Sequence, residues 1–237
     1  MAVPPDVRER LILALDLPSV GQAESLIARL GDTVSFYKIG LQLQYAGGLG
    51  LAERLLAEGR NVFLDCKFSD IPETVAGAVA SVARLAPQFL TVHADRPTVA
   101  AAVRARGAAA MKILAVTVLT SLDDADLAHL GSSLKVPELV ERRARDAFAL
   151  GADGVVASPR EAAALRAIAG PGRLIVTPGI RSTAAARHDQ KRVATAAEAI
   201  AAGADYLVVG REITQAADPA TAAANLQAEI REAFARR

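Results

Sequence analysis

The sequence predicts a (β/α)8 barrel, also called a TIM barrel, formed as a single domain over residues 1–237. Eight short apolar runs recur along the chain, and stretches with apolar residues three and four positions apart separate them. Because the runs are nearly all apolar rather than alternating, each strand is expected to be covered on both faces, as in a parallel sheet. Eight strand–helix units favour a closed barrel over an open doubly wound sheet, which is the alternative.

The predicted elements follow one another without a linker that would mark a domain boundary. Strands are predicted over residues 11–15, 34–39, 62–67, 89–93, 113–118, 154–157, 174–177 and 206–209. Helices are predicted between them, for example over residues 23–30, 49–56, 74–85 and 138–150. The connections over residues 119–135 and 179–193 are longer than a tight turn requires, and long ordered loops are often functional lids. Both leave the carboxyl ends of strands, where barrel enzymes build their active sites.

The composition excludes several classes of protein. The 27 Lys and Arg residues nearly balance the 26 Asp and Glu residues, and no basic block marks a nucleic-acid surface. The single cysteine, Cys66, excludes an intrachain disulfide framework and a set of thiols for zinc, and it fits a reducing compartment. No apolar run approaches the length of about 18 residues that indicates a membrane span, and the amino terminus lacks a signal-peptide pattern. We therefore expect a cytoplasmic protein without nucleic-acid or membrane partners.

The third predicted strand ends in a group of charged residues within the segment NVFLDCKFSD. Asp65 and Lys67 lie two positions apart, so a strand directs both to one face, while Cys66 points into the layer between strand and helix. Asp16 and Lys38 end the first and second strands. Because the carboxyl ends of parallel strands meet at one rim, these four charges, with Asp70 from the loop after the third strand, are expected to converge in the mouth of the barrel.

Members of this group also allow other interpretations. Asp65 and Lys67 alone would fit a structural ion pair, although burying charges costs several kcal/mol per ion even when they are paired. Asp70 follows in the loop and precedes Ile71 and Pro72, which is equally typical of a helix amino terminus. A second carboxylate and a second ammonium at the same rim favour a functional site.

The seventh and eighth strands end in VTPGIRS and LVVGREIT, which predict a phosphate site. Gly179 and Gly210 let backbone N–H groups approach an anion, and Arg181 and Arg211 supply charge-assisted hydrogen bonds. Gln190, in the long connection after the seventh strand, adds a neutral donor. A single Gly-Arg pair would also fit a turn with a solvated charge, but two pairs at neighbouring strand ends favour phosphate.

At these residues the sequence resembles the orotidine 5′-phosphate decarboxylase family. The resemblance runs from LDLP near the start to VGREIT near the end and is centred on the pattern D-x-K-x-x-D-I-P-x-T over residues 65–74. The segments YKIG, VTVLTS, TPGIR, DQKR and VGR support it in order. It implies decarboxylation of orotidine 5′-phosphate to UMP and CO2, the last step of UMP synthesis, with no metal and no organic cofactor.

The resemblance also implies residue roles. Lys38, Asp65, Lys67 and Asp70 would form an array of alternating charge, with Asp70 contributed by the second subunit of a homodimer and Lys67 donating the proton. Asp16, Lys38 and Asp70 of the partner subunit would hold ribose hydroxyls, and Thr120, with its neighbour Ser121, would meet the pyrimidine. The 5′-phosphate would be bound by Arg181, Gln190, Gly210 and Arg211. The full set implied to bind substrate is Asp16, Lys38, Asp65, Thr74, Thr120, Arg181, Gln190, Gly210 and Arg211.

Two positions depart from the family pattern, and two other functions stay open. Ser69 stands where the family has histidine, and Glu73 stands where it has asparagine, which puts the fine substrate contacts of this loop in doubt. A metal-dependent sugar-phosphate lyase of the same superfamily would need further carboxylates near Asp65, for which Glu73 is the unassigned acid. A barrel that binds nucleotides without turnover is the third possibility.

Overall fold

The computed structural model describes residues 7–180 and 194–236, and it confirms the (β/α)8 barrel. Eight parallel strands pair in chain order, and the eighth pairs with the first, which closes the barrel. They are β1 (Leu11–Ala14), β2 (Phe36–Gly40), β3 (Asn61–Phe68), β4 (Phe89–His93), β5 (Lys112–Val116), β6 (Gly154–Val156), β7 (Leu174–Thr177) and β8 (Tyr206–Val209).

Helices connect the strands and cover the outside of the barrel. The longer ones are α2 (Val20–Leu30), α4 (Leu49–Ala57), α5 (Pro72–Ala83), α6 (Arg96–Arg106), α8 (Val136–Ala149), α9 (Ala162–Ala169) and α12 (Pro219–Arg236). The shorter ones are α1 (Val7–Arg10), α3 (Leu41–Leu43), α7 (Asp124–His129), α10 (Ala196–Ala201) and α11 (Arg211–Thr214), with a π-helical turn at Gln44–Gly48 and a 3-10 turn at Pro159–Glu161. Within the described residues, no helix is both long enough and apolar enough to cross a membrane.

The apolar core has two layers, one between strands and helices and a smaller one inside the barrel. The inner layer contains Phe36, Phe63 and Phe89 from three neighbouring strands, with ring centroids 5.1 Å apart for Phe36 and Phe89 and 5.8 Å apart for Phe63 and Phe89. Side chains two positions further along a strand point to the same face. The aromatic residues therefore form a floor, above which the inward-facing polar side chains of β2, β3 and β4 lie.

The prediction of a long loop over residues 119–135 is wrong in part, because this connection contains α7. The side chain of Asp123 accepts the backbone N–H groups of Ala125 and Asp126, and the Asp126 carboxylate accepts the N–H of Asp123, which forms a capping box. Strand β2 begins at residue 36 instead of 34, and β5 ends at residue 116 instead of 118. Of the connection over residues 179–193, only residues 179 and 180 lie in the described part of the chain.

Candidate active site

A cavity of about 660 Å³ opens at the carboxyl ends of the strands. Phe63, Val116, Val156 and Val208 form its apolar floor, and polar groups follow the strand ends around its rim. The polar and glycine residues of the lining are Asp16, Lys38, Gly40, Gln42, Asp65, Lys67, Thr120, Gly179, Gly210, Arg211, Thr214 and Gln215. An apolar pocket with a few converging polar groups is the usual form of a small-molecule site.

Four of the predicted charged residues converge on one side of this cavity. The Lys67 Nζ atom lies 2.6 Å from Asp65 Oδ2, and the Lys38 Nζ atom lies 3.4 Å from the same oxygen. Lys38 Nζ also donates to Asp16 Oδ1 at 2.9 Å. The order of charges is therefore Asp16, Lys38, Asp65, Lys67, which confirms the predicted convergence for these four residues and gives each carboxylate an ammonium neighbour.

The two central members of this charge array are almost fully buried, with Lys38 7% and Asp65 8% exposed. Burial alone lowers the pKa of Lys38, but the carboxylates of Asp65 and Asp16 outweigh it and raise that pKa. Burial alone raises the pKa of Asp65, and the ammonium groups of Lys38 and Lys67 outweigh it and lower that pKa. Both groups are therefore held in their ionised forms at the wall of the cavity.

Two neighbours of the array fit its geometry. Cys66 points away from the barrel interior and packs against the outer core, as predicted, and burial raises the pKa of its thiol to about 11. Gly40 faces the Asp16–Lys38 pair, and a Cβ atom at this position would lie 2.7 Å from Asp16 Oδ1 and 2.8 Å from Lys38 Nζ. The absence of a side chain at residue 40 leaves the space that this ion pair occupies.

The structure does not bring Asp70 or Thr74 to the cavity of the same chain. Both side chains are exposed and absent from the cavity lining, as are those of the departing residues Ser69 and Glu73. Asp70 Oδ1 accepts the backbone N–H of Ile71 at 2.6 Å, directly before α5 begins at Pro72. The expectation that Asp70 converges with the other four charges is therefore wrong within one chain, because Asp70 lies exposed directly before Ile71, the residue that caps α5. Its role in a second subunit stays a prediction.

The opposite side of the cavity carries the predicted phosphate residues that the structure describes. Strands β3 and β7 lie across the barrel, four strands apart. Gly179 follows β7, and Gly210 and Arg211 follow β8 at the cavity wall. Thr120, after β5, lines the cavity between the two sides, whereas the neighbouring Ser121 is exposed. Arg181 and Gln190 lie outside the described residues.

Several residues around the site were not predicted from the sequence. Gln215 follows Arg211 by four positions and lines the same wall, a spacing that a helical interpretation of REITQ would have indicated. Gln42 lines the cavity after β2. Thr91 lies inside the barrel on β4, fully buried, and hydrogen-bonds to Asp65 Oδ1 at 2.9 Å. Its signal in the sequence is a polar residue two positions after the inward-facing Phe89.

In the described part of the chain, no histidine lines the cavity and no cluster of side chains is arranged to bind a metal ion. His93 ends β4 outside the cavity lining, and its pKa is lowered by burial and by the charges of Lys67 and Arg143. Within residues 7–180 and 194–236, no group of three His, Cys, Asp or Glu side chains is arranged to hold a metal ion.

Comparison with known proteins gives a consistent result over nearly the full chain. The family model described as "Orotidine 5'-phosphate decarboxylase / HUMPS family" matches residues 9–226. A protein of Rhodopseudomonas palustris strain BisA53, named orotidine 5′-phosphate decarboxylase, is 60% identical over 230 residues, which cover 97% of this chain and 98% of that protein. A protein of the same name from Afipia carboxidovorans is 59% identical over 227 residues, covering 96% and 97% of the two chains.

Solved structures are similar as well. The crystal structure of orotidine 5′-phosphate decarboxylase from Lactobacillus acidophilus matches with a TM-score of 0.83 and 36% sequence identity, covering 94% of this chain and 99% of that one. An uncharacterised conserved protein from Geobacillus kaustophilus matches with a TM-score of 0.80 and 35% identity, covering 93% and 99% of the two chains.

Proposed function

Because this chain belongs to the orotidine 5′-phosphate decarboxylase / HUMPS family, we propose that its cavity converts orotidine 5′-phosphate to UMP and CO2 without a metal or organic cofactor. This reaction is the last step of pyrimidine biosynthesis. The observation that carries the proposal is the Lys67 ammonium, held 2.6 Å from the buried Asp65 carboxylate at the wall of a cavity. The high identity to relatives named as decarboxylases favours this reaction over the sugar-phosphate lyase.

The reaction explains why an ammonium is needed at this place. When the bond between C6 of the orotate ring and its carboxylate breaks, the electron pair stays on C6, in the ring plane, where the π system does not delocalise it. Stabilisation is therefore electrostatic, and a fixed ammonium in a water-poor site is well suited to oppose the developing charge. Lys67 then donates a proton from Nζ to C6, which completes UMP. Its neutral amine regains a proton from solvent afterwards.

The rest of the charge array holds Lys67 and the ribose in place. Asp65 fixes the Lys67 ammonium and lies next to the departing carboxylate of the substrate. Lys38 neutralises Asp65 from the other side, at 3.4 Å, and connects it to Asp16. Asp16, whose side chain is half exposed, and Lys38 are the groups that bind ribose hydroxyls at the cavity wall.

The 5′-phosphate binds across the cavity from the charge array. Arg211 supplies charge-assisted hydrogen bonds, and Gly210 and Gly179 allow a close approach of the backbone to the anion. Arg181 and Gln190 are proposed to complete this site from the connection after β7, and Thr120 to contact the pyrimidine. Binding energy from this non-reacting group is available to lower the barrier at C6.

The functional unit is proposed to be a homodimer in which Asp70, together with Thr74, completes the site of the partner subunit. Asp70 is exposed and separate from the array of its own chain. Two large apolar side chains are exposed nearby in sequence or on the neighbouring strand end. Ile71, the residue after Asp70, is 66% exposed, and Tyr45, which follows strand β2, is 90% exposed. Exposed apolar groups of this kind mark interaction surfaces when they lie together.

Mixing two inactive variants tests this arrangement. In a heterodimer of Lys67→Ala and Asp70→Ala chains, a trans arrangement gives one site with both changes and one site with neither, so activity returns on subunit exchange. If Asp70 acts within its own chain, each site carries one change and no activity returns. A monomer in sedimentation experiments would also contradict the proposal.

Ultraviolet absorbance tests the proposed reaction itself. Purified protein treated with EDTA is expected to remove orotidine 5′-phosphate rapidly, and Lys67→Ala is expected to lose more than about a thousandfold of that rate. Lys112→Ala is the matched control, because Lys112 lies at the amino end of β5, far from the cavity lining. No loss of absorbance, tight UMP binding without turnover, or activity on a sugar phosphate that only Mg²⁺ restores would overturn the assignment.

The cytoplasm is the compartment that we propose for this reaction. The single cysteine is a free, partly buried thiol, which suits a reducing environment.

A further inference from the structure

The pairing of β3 with β4 is irregular at the charge array. Leu64 pairs with Leu90, but the next paired residues are Phe68 and Val92. Three residues of β3, from Asp65 to Lys67, therefore lie opposite the single residue Thr91 of β4. Extra residues of this kind form a bulge, which redirects side chains and interrupts the ladder of hydrogen bonds. Lys67 has a φ of +50° within this bulge, a conformation that residues other than glycine adopt uncommonly.

The side chain of Thr91 takes the place of the interrupted ladder. Its Oγ1 atom accepts the backbone N–H of Lys67 at 3.0 Å and donates to Asp65 Oδ1 at 2.9 Å. A hydroxyl group has one donor and two acceptor positions, so one atom performs both tasks. Thr91 is 0% exposed and is absent from the cavity lining, so its hydroxyl serves the bulge and does not contact the substrate.

These two hydrogen bonds fix both partners of the Asp65–Lys67 pair. Thr91 holds Oδ1 of Asp65, which leaves Oδ2 for the ammonium groups of Lys67 and Lys38. Lys67 is consequently held at its backbone by Thr91 and at its Nζ atom by Asp65. A β-branched residue is well suited to this task, because its χ1 angle is restricted and keeps the hydroxyl in one direction.

We propose that Thr91 is a positioning residue for the decarboxylation, whose hydroxyl orients the Asp65 carboxylate and the Lys67 backbone so that the Lys67 ammonium lies at the reacting carbon. This inference rests on the proposed function. Misplacing a reacting group by about 1 Å costs up to about a hundredfold in rate. The Thr91 hydroxyl therefore affects kcat through Lys67. Substrate binding by the residues that hold the 5′-phosphate, across the cavity, is expected to be unchanged.

The experiment compares Thr91→Val, which has the same shape without the hydroxyl, with Thr91→Ser, which retains the hydroxyl. Thr177→Val is the control, since Thr177 is buried on β7, does not line the cavity, and has no hydrogen-bond partner for Oγ1 within the described part of the chain. Thr91→Val is expected to lower kcat about 10- to 100-fold, with KM and UMP affinity within about threefold of wild type. Thr91→Ser is expected to recover most of kcat, and Thr177→Val to match wild type.

A pH profile separates positioning from a merely structural role. A hydrogen bond to a carboxylate favours its ionised form, so loss of the Thr91 donor raises the pKa of Asp65. The acid limb of the kcat profile is then expected to move to higher pH in Thr91→Val only. If Thr91→Val does not fold, Thr91→Ala carries the same test, because it also lacks the hydroxyl.

The possible failures are distinguishable. An active wild type with an unchanged kcat in Thr91→Val overturns the role of Thr91 and leaves the proposed function in place. Equal losses in Thr91→Val and Thr91→Ser, with an unmoved acid limb, also overturn it. A wild type without turnover of orotidine 5′-phosphate overturns the proposed function, and the inference with it.

Discussion

Both ends of the barrel carry ion pairs, but the surroundings of the charges differ. At the amino ends of the strands, Asp205 accepts the backbone N–H of Ile175 at 2.8 Å and pairs with Arg166. The guanidinium of Arg166 also donates to three backbone carbonyls, which ties the outer layer to the strands. The same arrangement recurs at Asp153, Ile113 and Arg106.

At the carboxyl ends, the carboxylates of Asp16 and Asp65 accept no backbone N–H from the described residues. Asp65 Oδ2 is shared by the ammonium groups of Lys38 and Lys67, and all three side chains line the cavity. The Lys67 side chain is still 28% exposed, toward the cavity. Ion pairs fixed by backbone groups therefore stabilise the barrel, whereas charges that end at a cavity remain available to a substrate. Variants at the two ends are therefore expected to separate turnover from stability.

The largest expected effect follows from removing the central charge of the array. Asp65→Asn keeps the shape of the side chain but leaves two ammonium groups without their shared carboxylate. Turnover of orotidine 5′-phosphate is expected to fall more than about a thousandfold, because Lys67 loses both its position and its electrostatic environment. Rates of UMP formation check this, with Asp146→Asn, in a surface pair with Arg96, as the control. A loss below tenfold would contradict the role of Asp65.

At the other end, Arg166→Met is expected to act on stability. The change leaves the partly buried Asp205 without its cation and three carbonyls without a donor. The free energy of unfolding is expected to fall by about 3 kcal/mol, while turnover per folded molecule stays within about twofold of wild type. Denaturant unfolding and active-site titration measure the two quantities. A specific loss of turnover at full stability would break the distinction between the two ends.

A smaller loss of turnover is expected from Gly40→Ala, because the array needs the space that a glycine leaves at residue 40. A Cβ atom in Gly40→Ala would contact the flexible ends of Asp16 and Lys38, so the ion pair shifts while the backbone keeps its conformation. Turnover is expected to fall about 10- to 100-fold at nearly unchanged stability. Gly172→Ala, in the exposed turn before β7 with open space around it, is the control. Equal losses in both variants would show that the effect is not specific to the array.

The smallest expected effect is a dependence of stability on pH. The folded pKa of Asp65 lies below its usual value, because Lys38 and Lys67 outweigh burial. Its contribution is therefore present above the unfolded pKa of about 3.9 and is lost as the pH falls through the folded pKa. The advantage of wild type over Asp65→Asn in unfolding free energy is expected to be constant above about pH 5 and to shrink in more acidic solution. An advantage that grows with acid would contradict the ionised state of Asp65.

The fold and most of the array could be predicted because their signals are local. Apolar runs mark the strands, and the period of two placed Asp65 and Lys67 on one face although β3 contains a bulge there. Helix α7 could not be separated from a loop by apolar periodicity, since its six residues depend on the capping box of Asp123 and Asp126.

The residues that support the array needed the three-dimensional register. Thr91 reaches the backbone N–H of Lys67 because β3 gains extra residues opposite it, which no pattern in FLTVH reveals. The role of Gly40 could not be predicted either, because it depends on the space that the missing side chain leaves beside Asp16 and Lys38. In the proposed function, Asp70 acts in the site of a second subunit. Neither its sequence context nor the fold of one chain can therefore predict which residues it contacts.

The most direct test of the difference between the two ends measures turnover and denaturant unfolding on the same preparations of Lys67→Met and Arg106→Met. Lys67→Met is expected to lose more than about a thousandfold in turnover, with its unfolding free energy within about 1 kcal/mol of wild type. Arg106→Met is expected to lose about 2 kcal/mol or more of stability with turnover per folded molecule unchanged, because its partner Asp153 lies at the amino ends of the strands. Retained turnover in Lys67→Met, or lost turnover at full stability in Arg106→Met, would contradict the account.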